Sequence, residues 1–269
     1  MDLSLRHHVA VVTGGASGIG RAVAEAFAAE GACLAIWDRS AAAVEAATEI
    51  AEQTGVKSLG LAVDVTDATA VRNAAARTVA GLGAIDHLVH AAAIGSGKFG
   101  FPFTNLLPAD WRKTLDVNIM GMVHVAHAVA PAMVERKQGT MIFIASVAGQ
   151  IGSQTDPPYS ASKAANINFS QVLAKDLAPA GVRVNTVCPG MVQTPLNKSV
   201  WQAWNDLQSP DRRRSYEEWA GDKVRQVVPL GRWQQPRDIA EMVVFLSSDR
   251  ASQVTGQTIN VDGGWVMHW

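Results

Sequence analysis

The chain has 269 residues, with 23 Lys and Arg against 24 Asp and Glu and a formal net charge of -1. Neither sign dominates, so it carries no basic footprint for nucleic acid or an anionic membrane. The length suits one large α/β domain spanning residues 1–269, and no linker, internal repeat or low-complexity tract divides it.

Short apolar runs alternate with amphipathic runs of helical period. HVAVVT (8–13) reads as a buried strand, 19–29 as a helix ended at Gly31, CLAIW (33–37) as a second strand and about 40–53 as a helix. SLGLAV (58–63) and a helix over about 67–80 follow, then HLVHA (87–91) and one long helix from Pro108 to Arg136. TMIFIA (140–145), a helix over about 158–177, VRVNTV (182–187), a helix near 237–247 and TINV (258–261) complete the series. Strands apolar on both faces that alternate with helices imply a parallel sheet covered on both sides. Right-handed crossovers make it a doubly wound, Rossmann-like α/β fold. Ligands of such sheets bind at the carboxyl ends of the strands, so the informative residues are those just after each strand.

Cys33 and Cys188 lie in apolar strand segments and read as buried free thiols, which suits a reducing cytoplasm. No apolar signal core precedes the first strand, and the stretch 119–133 is interrupted by His124, His127 and Pro131. A cytoplasmic protein with no membrane span is expected. Arg212-Arg213-Arg214 reads as a solvated turn. His124 and His127 have no third ligand at suitable spacing, and no metal is expected.

Between the first strand and first helix lies Thr13-Gly14-Gly15-Ala16-Ser17-Gly18-Ile19-Gly20. Glycines let the backbone turn tightly against a pyrophosphate, and the helix N-terminus offers free N–H groups and a partial positive charge. Asp38 follows the second strand, 18 residues after Gly20. A carboxylate there bonds the adenosine ribose hydroxyls and repels a 2′-phosphate, which favours NAD. The neighbouring Arg39 could pair with that phosphate, and helix capping is the other use for Asp38. Asp64, after the third strand, suits the adenine amino group or the cap of the next helix, where Asp67 competes.

Ser146 ends the fifth strand, and Tyr159-Ser160-Ala161-Ser162-Lys163 opens the next helix. Residues four apart share a helix face, so the phenol and ammonium point the same way. A tyrosine titrates near ~10 in water, and a fixed positive charge lowers that value. Tyr159 is thus expected to exchange a proton with a substrate alcohol or carbonyl oxygen, which Ser146 holds by hydrogen bond.

With these pieces in place the chain resembles the classical short-chain dehydrogenase/reductase family over essentially its whole length. The resemblance rests on Thr13-Gly14-x-x-x-Gly18-x-Gly20, Asp64-Val65, Asn118 in Asp-Val-Asn-Ile, Ser146, Tyr159-x-x-x-Lys163, Pro189-Gly190 and Asn260-Val261-Asp262-Gly263-Gly264. It implies a seven-stranded parallel sheet, a homotetramer, and a catalytic tetrad of Asn118, Ser146, Tyr159 and Lys163. Lys163 would also bind the nicotinamide ribose, and Asn118 would kink its helix and hold a water that relays protons to Lys163. Ser17, Ile19, Val65 and the backbone at Ala91 would join the cofactor site. Pro189, Gly190 and Thr194 would line the nicotinamide side, and the Val192 backbone would meet the carboxamide. The family commonly has Asn-Asn-Ala-Gly after the fourth strand; this chain has His90-Ala91-Ala92-Ala93. That departure is expected to lose a side-chain contribution to holding sheet and loop together.

Residues 193–235 are the least family-like region and hold Trp201, Trp204, Trp219 and Trp233. They read as a substrate lid, each single tryptophan being best explained by packing. Ser96, Lys98, Gln150, Gln154 and Asp156 suit a hydroxylated substrate such as a polyol or sugar, whereas Phe99, Phe101 and Phe103 suit an apolar ketone. The aromatic tail 265–269 is expected to pack across a subunit interface. An NAD-dependent dehydrogenase of a secondary alcohol is the leading expectation. An NADP-dependent carbonyl or 3-oxoacyl reductase comes second, and a cofactor-binding regulatory protein third.

Overall fold

Val9–Thr13, buried throughout, form the first strand (β1) of the computed structural model, which describes residues 2–267. In chain order come α1 (Gly18–Ala29), β2 (Cys33–Asp38), α2 (Ala42–Thr54), β3 (Ser58–Ala62), α3 (Ala68–Leu82) and β4 (His87–His90). Next are α4 (Pro108–Leu115), α5 (Gly121–Arg136), β5 (Gly139–Ile144), α6 (Pro157–Leu177) and β6 (Val182–Pro189). The chain closes with α7 (Pro195–Asn205), α8 (Tyr216–Val227), α9 (Pro236–Ser247) and β7 (Thr258–Val261).

The seven strands pair in parallel in the order β3-β2-β1-β4-β5-β6-β7. Strand order therefore reverses between β1 and β4, and the crevice at their carboxyl ends is where such sheets bind ligands. Apolar side chains on alternate positions of β1 feed opposite cores. Ala10 and Val12 pack with Val23 and Phe27 of α1, Ile50 of α2, and Ile239 and Val243 of α9. Val11 packs with Val71 of α3 and with Met122, Val125 and Val129 of α5.

The structure corrects several expectations of detail. The predicted helix 108–136 is interrupted by a π-helical turn at Asp116–Met120, centred on Asn118, where the kink is expected. That 29-residue stretch has a window of mean hydropathy 1.5, long and apolar enough to cross a membrane by composition, and 44% of the window is buried in the fold. Asp67, not Asp64, caps α3 by accepting the Thr69 and Ala70 N–H groups. Cys188 is buried, but Cys33, at the start of β2, is only half-buried.

The start of the aromatic tail is anchored within the chain. Trp265 and Val266 pack on their own chain against Ala145, Val147 and Cys188, while Met267 is exposed. His268 and Trp269 lie outside the described residues.

The region expected as a lid, 193–235, holds a pair of helices with a small core of its own. Tyr216, Trp219, Ala220 and Val224 of α8 pack with Val200, Trp201 and Trp204 of α7 and with Trp233 and Trp265. Tyr216 is the hub. Its ring lies 5.7 Å from Trp201, 6.3 Å from Trp219 and 4.9 Å from Trp233, and its hydroxyl donates to Asn197 Oδ1 at 2.9 Å. All four lid tryptophans pack as proposed for each singly.

Candidate active site

A cleft of about 400 Å³ runs along the carboxyl ends of the strands. Its near end is the β1–α1 turn. Gly14 adopts φ +65°, and a Cβ there would sit 2.9 Å from Ala92 Cα. At Gly20 a Cβ would stand 2.2 Å from the Gly14 carbonyl oxygen, so only glycine lets α1 begin this close to the turn. Ser17, the N-cap of α1, makes no side-chain cap bond, and α1 carries no acid in its first turn. The first-turn N–H groups of α1 thus carry no side-chain cap, and the helix end faces the cleft.

Asp38 follows, its carboxylate fixed between the Ala16 N–H at 3.2 Å and the Ser40 N–H at 2.9 Å. Neither Asp38 nor Ser40 is the N-cap of α2, which is Ala41, though Ser40 Oγ accepts the Ala42 N–H. Arg39 is exposed at the rim. Asp64 accepts from both the N–H and the hydroxyl of Thr66, which hold its carboxyl below the ordinary range, with a smaller push from Arg39. Gly18, Ile19, Val65, Ala91, Pro189, Gly190, Val192 and Thr194 also line the cleft, so every residue expected in the cofactor site lies along it. A helix end without a side-chain cap, a fixed carboxylate after β2 and a buried ammonium beyond them form a donor set that fits a nicotinamide dinucleotide.

The ammonium is Lys163, nearly fully buried, donating to the Ile144 carbonyl at 2.7 Å and lying 5.5 Å from the Tyr159 ring centre. Burial brings its pKa down to about 8. Burial also pushes the Tyr159 phenol well above its ordinary range, and a hydrogen bond with Ser146 opposes it. The expected lowering of the phenol by Lys163 is therefore not what the protein's own groups produce. Desolvation outweighs them, and further positive charge beside the ring is what would make it a base. Ser146 Oγ itself accepts the Ala148 N–H at 3.1 Å.

Asn118 acts as a strut between segments. Its amide donates to the Ile94 carbonyl and to Ser162 Oγ, and its oxygen accepts the Ile94 N–H, all at 2.9 Å. Its own carbonyl accepts from Asn166 Nδ2 at 2.8 Å. The π turn thus ties the loop after β4 to α6, which carries Tyr159 and Lys163.

His90 overturns the expectation of a lost side-chain contribution. Its Nδ1 hydrogen-bonds Thr13 Oγ1 at 2.9 Å, and that oxygen accepts the Ala92 N–H at 3.2 Å. Histidine thereby ties β4 and its loop to β1.

On the substrate side the expected polar set is mostly absent from the cleft. Lys98 pairs with Asp110 on the surface, Gln150 pairs with Asn260, and Gln154 is exposed. Ser96 turns its N–H to Asp156 Oδ2 at 2.8 Å. Only Asp156 of that set lines the cleft, joined by Ser153 and Thr155. Phe101 and Phe103 are exposed and lie outside the lining of this cleft. The wall opposite is the lid, through Leu196, Val200, Trp219 and Lys223, together with Trp265. Lys223 and Trp265 were not foreseen. A cation one helical turn after Trp219 was the available signal for the first, and the tail's aromatic character for the second. His124 hydrogen-bonds the Val65 carbonyl at 2.9 Å, and His127 is exposed.

A family profile described as enoyl-(acyl carrier protein) reductase matches residues 14–266. The 3-oxoacyl-[acyl-carrier-protein] reductase of Thermotoga maritima is 32% identical over 98% of this chain and 100% of its own length. The D-threitol dehydrogenase of Mycolicibacterium smegmatis is 36% identical over 99% of this chain and 95% of its own. The L-sorbose reductase of Gluconobacter frateurii, solved with NADPH and L-sorbose, superposes with a TM-score of 0.89 at 31% identity, each chain covered completely. With the seven-stranded sheet, the β1–α1 turn and the cleft in hand, these likenesses establish that the chain belongs to the classical short-chain dehydrogenase/reductase family and is a nicotinamide-dependent oxidoreductase of alcohol and carbonyl groups.

Proposed function

We propose that the protein interconverts a secondary alcohol and its ketone on a polyol- or sugar-like substrate, with NAD as the cofactor. The observation that carries the reading is the placement of Tyr159, Ser146 and Lys163 at one end of a cleft whose other end holds the fixed Asp38 carboxylate. A bound nicotinamide supplies hydride acceptance or donation at the carbinol carbon. Ser146 holds the substrate oxygen, and Tyr159 takes or returns its proton. Lys163, with a pKa near 8, keeps its proton in most molecules at neutral pH and recharges the phenol. Asn118 positions α6 and the loop after β4. A regulatory protein without chemistry has no need of this set.

Two likenesses support a hydroxylated substrate, the D-threitol dehydrogenase and the L-sorbose reductase. The second reading is an NADP-dependent carbonyl or 3-oxoacyl reductase, favoured by Arg39 at the rim and by the NADPH in the L-sorbose reductase structure. By resemblance to its family we read the protein as a cytoplasmic homotetramer, and the two free thiols suit that compartment. The test is a panel of alditols, ketoses and 3-oxoacyl thioesters, each run with both cofactors and followed by reduced-nicotinamide absorbance. Alditol oxidation with NAD favoured by at least about tenfold in kcat/KM is expected, the 2′-phosphate meeting the Asp38 carboxylate. Turnover of the thioesters alone, with NADP, would overturn the reading in favour of the second.

A further inference from the structure

The lid places one cation in the cleft with no acid to neutralise it. Lys223, on α8, lies half-buried with its ammonium 4.3 Å from the centre of the Trp219 ring. That ring contact is its one partner: it makes no hydrogen bond or ion pair among the described residues. Its sequence neighbour Asp222 is already taken by Arg214 and Arg225, which both pair with that carboxylate. Burial alone acts on Lys223 and brings its pKa down to about 8.

The packing locates this ammonium along the cleft. Trp219 shares the lid core with Trp265, and Trp265 packs against Ala145 and Val147, the residues on either side of Ser146. Lys223 is thus tied to the reacting end rather than to the turn around Gly18. On that side the other charged lining groups are Lys163 and Asp156. The Asp156 carboxylate accepts from the Ser96 and Tyr159 N–H groups and forms no ion pair with Lys223 among the described residues.

A desolvated cation without a counter-ion is costly, and a cleft that keeps one is complementary to an anion. An aromatic face fixes its position while leaving its three N–H donors free. We propose that the hydroxylated substrate carries an anionic end group, a carboxylate or a phosphate, which Lys223 receives against the Trp219 face while the carbinol meets Ser146 and Tyr159. Lys223 is then a specificity-determining residue. The inference rests on the polyol reading above and narrows it to polyhydroxy acids or polyol phosphates.

The test compares four- to six-carbon alditols with the matching aldonates and alditol phosphates, in the wild type, Lys223→Met and Lys223→Arg. Methionine keeps the length and apolar stem and removes the charge. Wild type should prefer one anionic series over the neutral one by roughly ten- to hundredfold in kcat/KM, the range of a charge-assisted hydrogen bond. Lys223→Met should collapse that ratio mainly through KM, and Lys223→Arg should keep most of it. Which anionic series responds identifies the carboxylate or the phosphate. Neutral alditols turned over as well as both anionic series, or a ratio unmoved in Lys223→Met, would overturn the inference and leave the polyol reading standing. So would a Lys223→Met effect confined to the dissociation constant of NAD or NADP. Turnover of none of the three series would remove the polyol reading and the inference with it.

Discussion

The two ends of the cleft are built on different physical principles. The cofactor end stands on β1, β2 and β4, whose backbones are locked in the sheet, and its side chains are fixed by backbone N–H groups, as Asp38 is by Ala16 and Ser40. The substrate end is walled by α7 and α8, which join no strand and are held by their own cluster of aromatic rings. A sheet-borne site fixes reaction type with little room to vary. A satellite aromatic core can be exchanged without disturbing the sheet, which suits a wall that varies with the substrate.

The largest effect expected from breaking this division falls on the chemistry alone. Tyr159→Phe keeps the ring in place against Lys163 and removes the hydroxyl that exchanges the proton. Turnover should fall by about 10²–10⁴-fold, the usual worth of a positioned general acid or base. The NAD dissociation constant, measured by fluorescence or calorimetry, should change little. Retained turnover in this variant would remove Tyr159 from the proton path.

The same contrast explains what was legible in the sequence. The strand-to-turn positions at Gly14–Gly20, Asp38, Ser146 and Pro189–Gly190 were readable because glycine, carboxylate and hydroxyl there are dictated by local backbone geometry and by the fold's rule for ligand placement. The Tyr159–Lys163 pair was readable from helical spacing. What stayed hidden depended on contacts between distant segments. Nothing local says that Gln150 is spent on Asn260, or Lys98 on Asp110, 110 and 12 residues away. The same holds for His90, whose partner Thr13 is 77 residues distant. Burial was hidden too: the desolvation that raises the Tyr159 phenol arises from the folded surroundings and outweighs the simple expectation from a nearby ammonium.

A smaller effect should separate the two ends mechanically. Trp204 packs on Trp219 with ring centres 6.4 Å apart. Trp204→Ala should lower the opening free energy of the lid by about 1–3 kcal/mol, less than a full core truncation because the site is half-buried and the helices can close in. Hydrogen exchange should quicken across residues 195–228 and stay unchanged in β1, β4 and β5. The substrate KM should rise several-fold and the NAD dissociation constant hold. Equal acceleration of exchange in the strands would mean that the lid and the sheet form one cooperative unit.

The smallest effect expected on turnover lies at the cofactor end, which is marked instead by its response to acid. His87 and His90 are buried in β4, and desolvation brings each down to a pKa of about 3. Both are therefore neutral in the folded protein at pH 4–6, while in the unfolded chain they take up protons below about 6.5. The unfolded state binds more protons across that window, so stability rises with pH from about 3 to 6.5 and is lost as pH falls through it. Each such histidine contributes a slope of up to about 1.4 kcal/mol per pH unit. His90→Asn should remove one share of this slope, read from denaturant unfolding between pH 4 and 7, while His87 retains the other. An asparagine amide can still reach Thr13, so kcat at pH 7 should stay within about threefold of wild type, a change equivalent to less than 1 kcal/mol. A large fall in turnover at unchanged melting temperature would instead give His90 a part in the reaction, joining the two ends through the buried charge of Lys163, which already presses on its pKa.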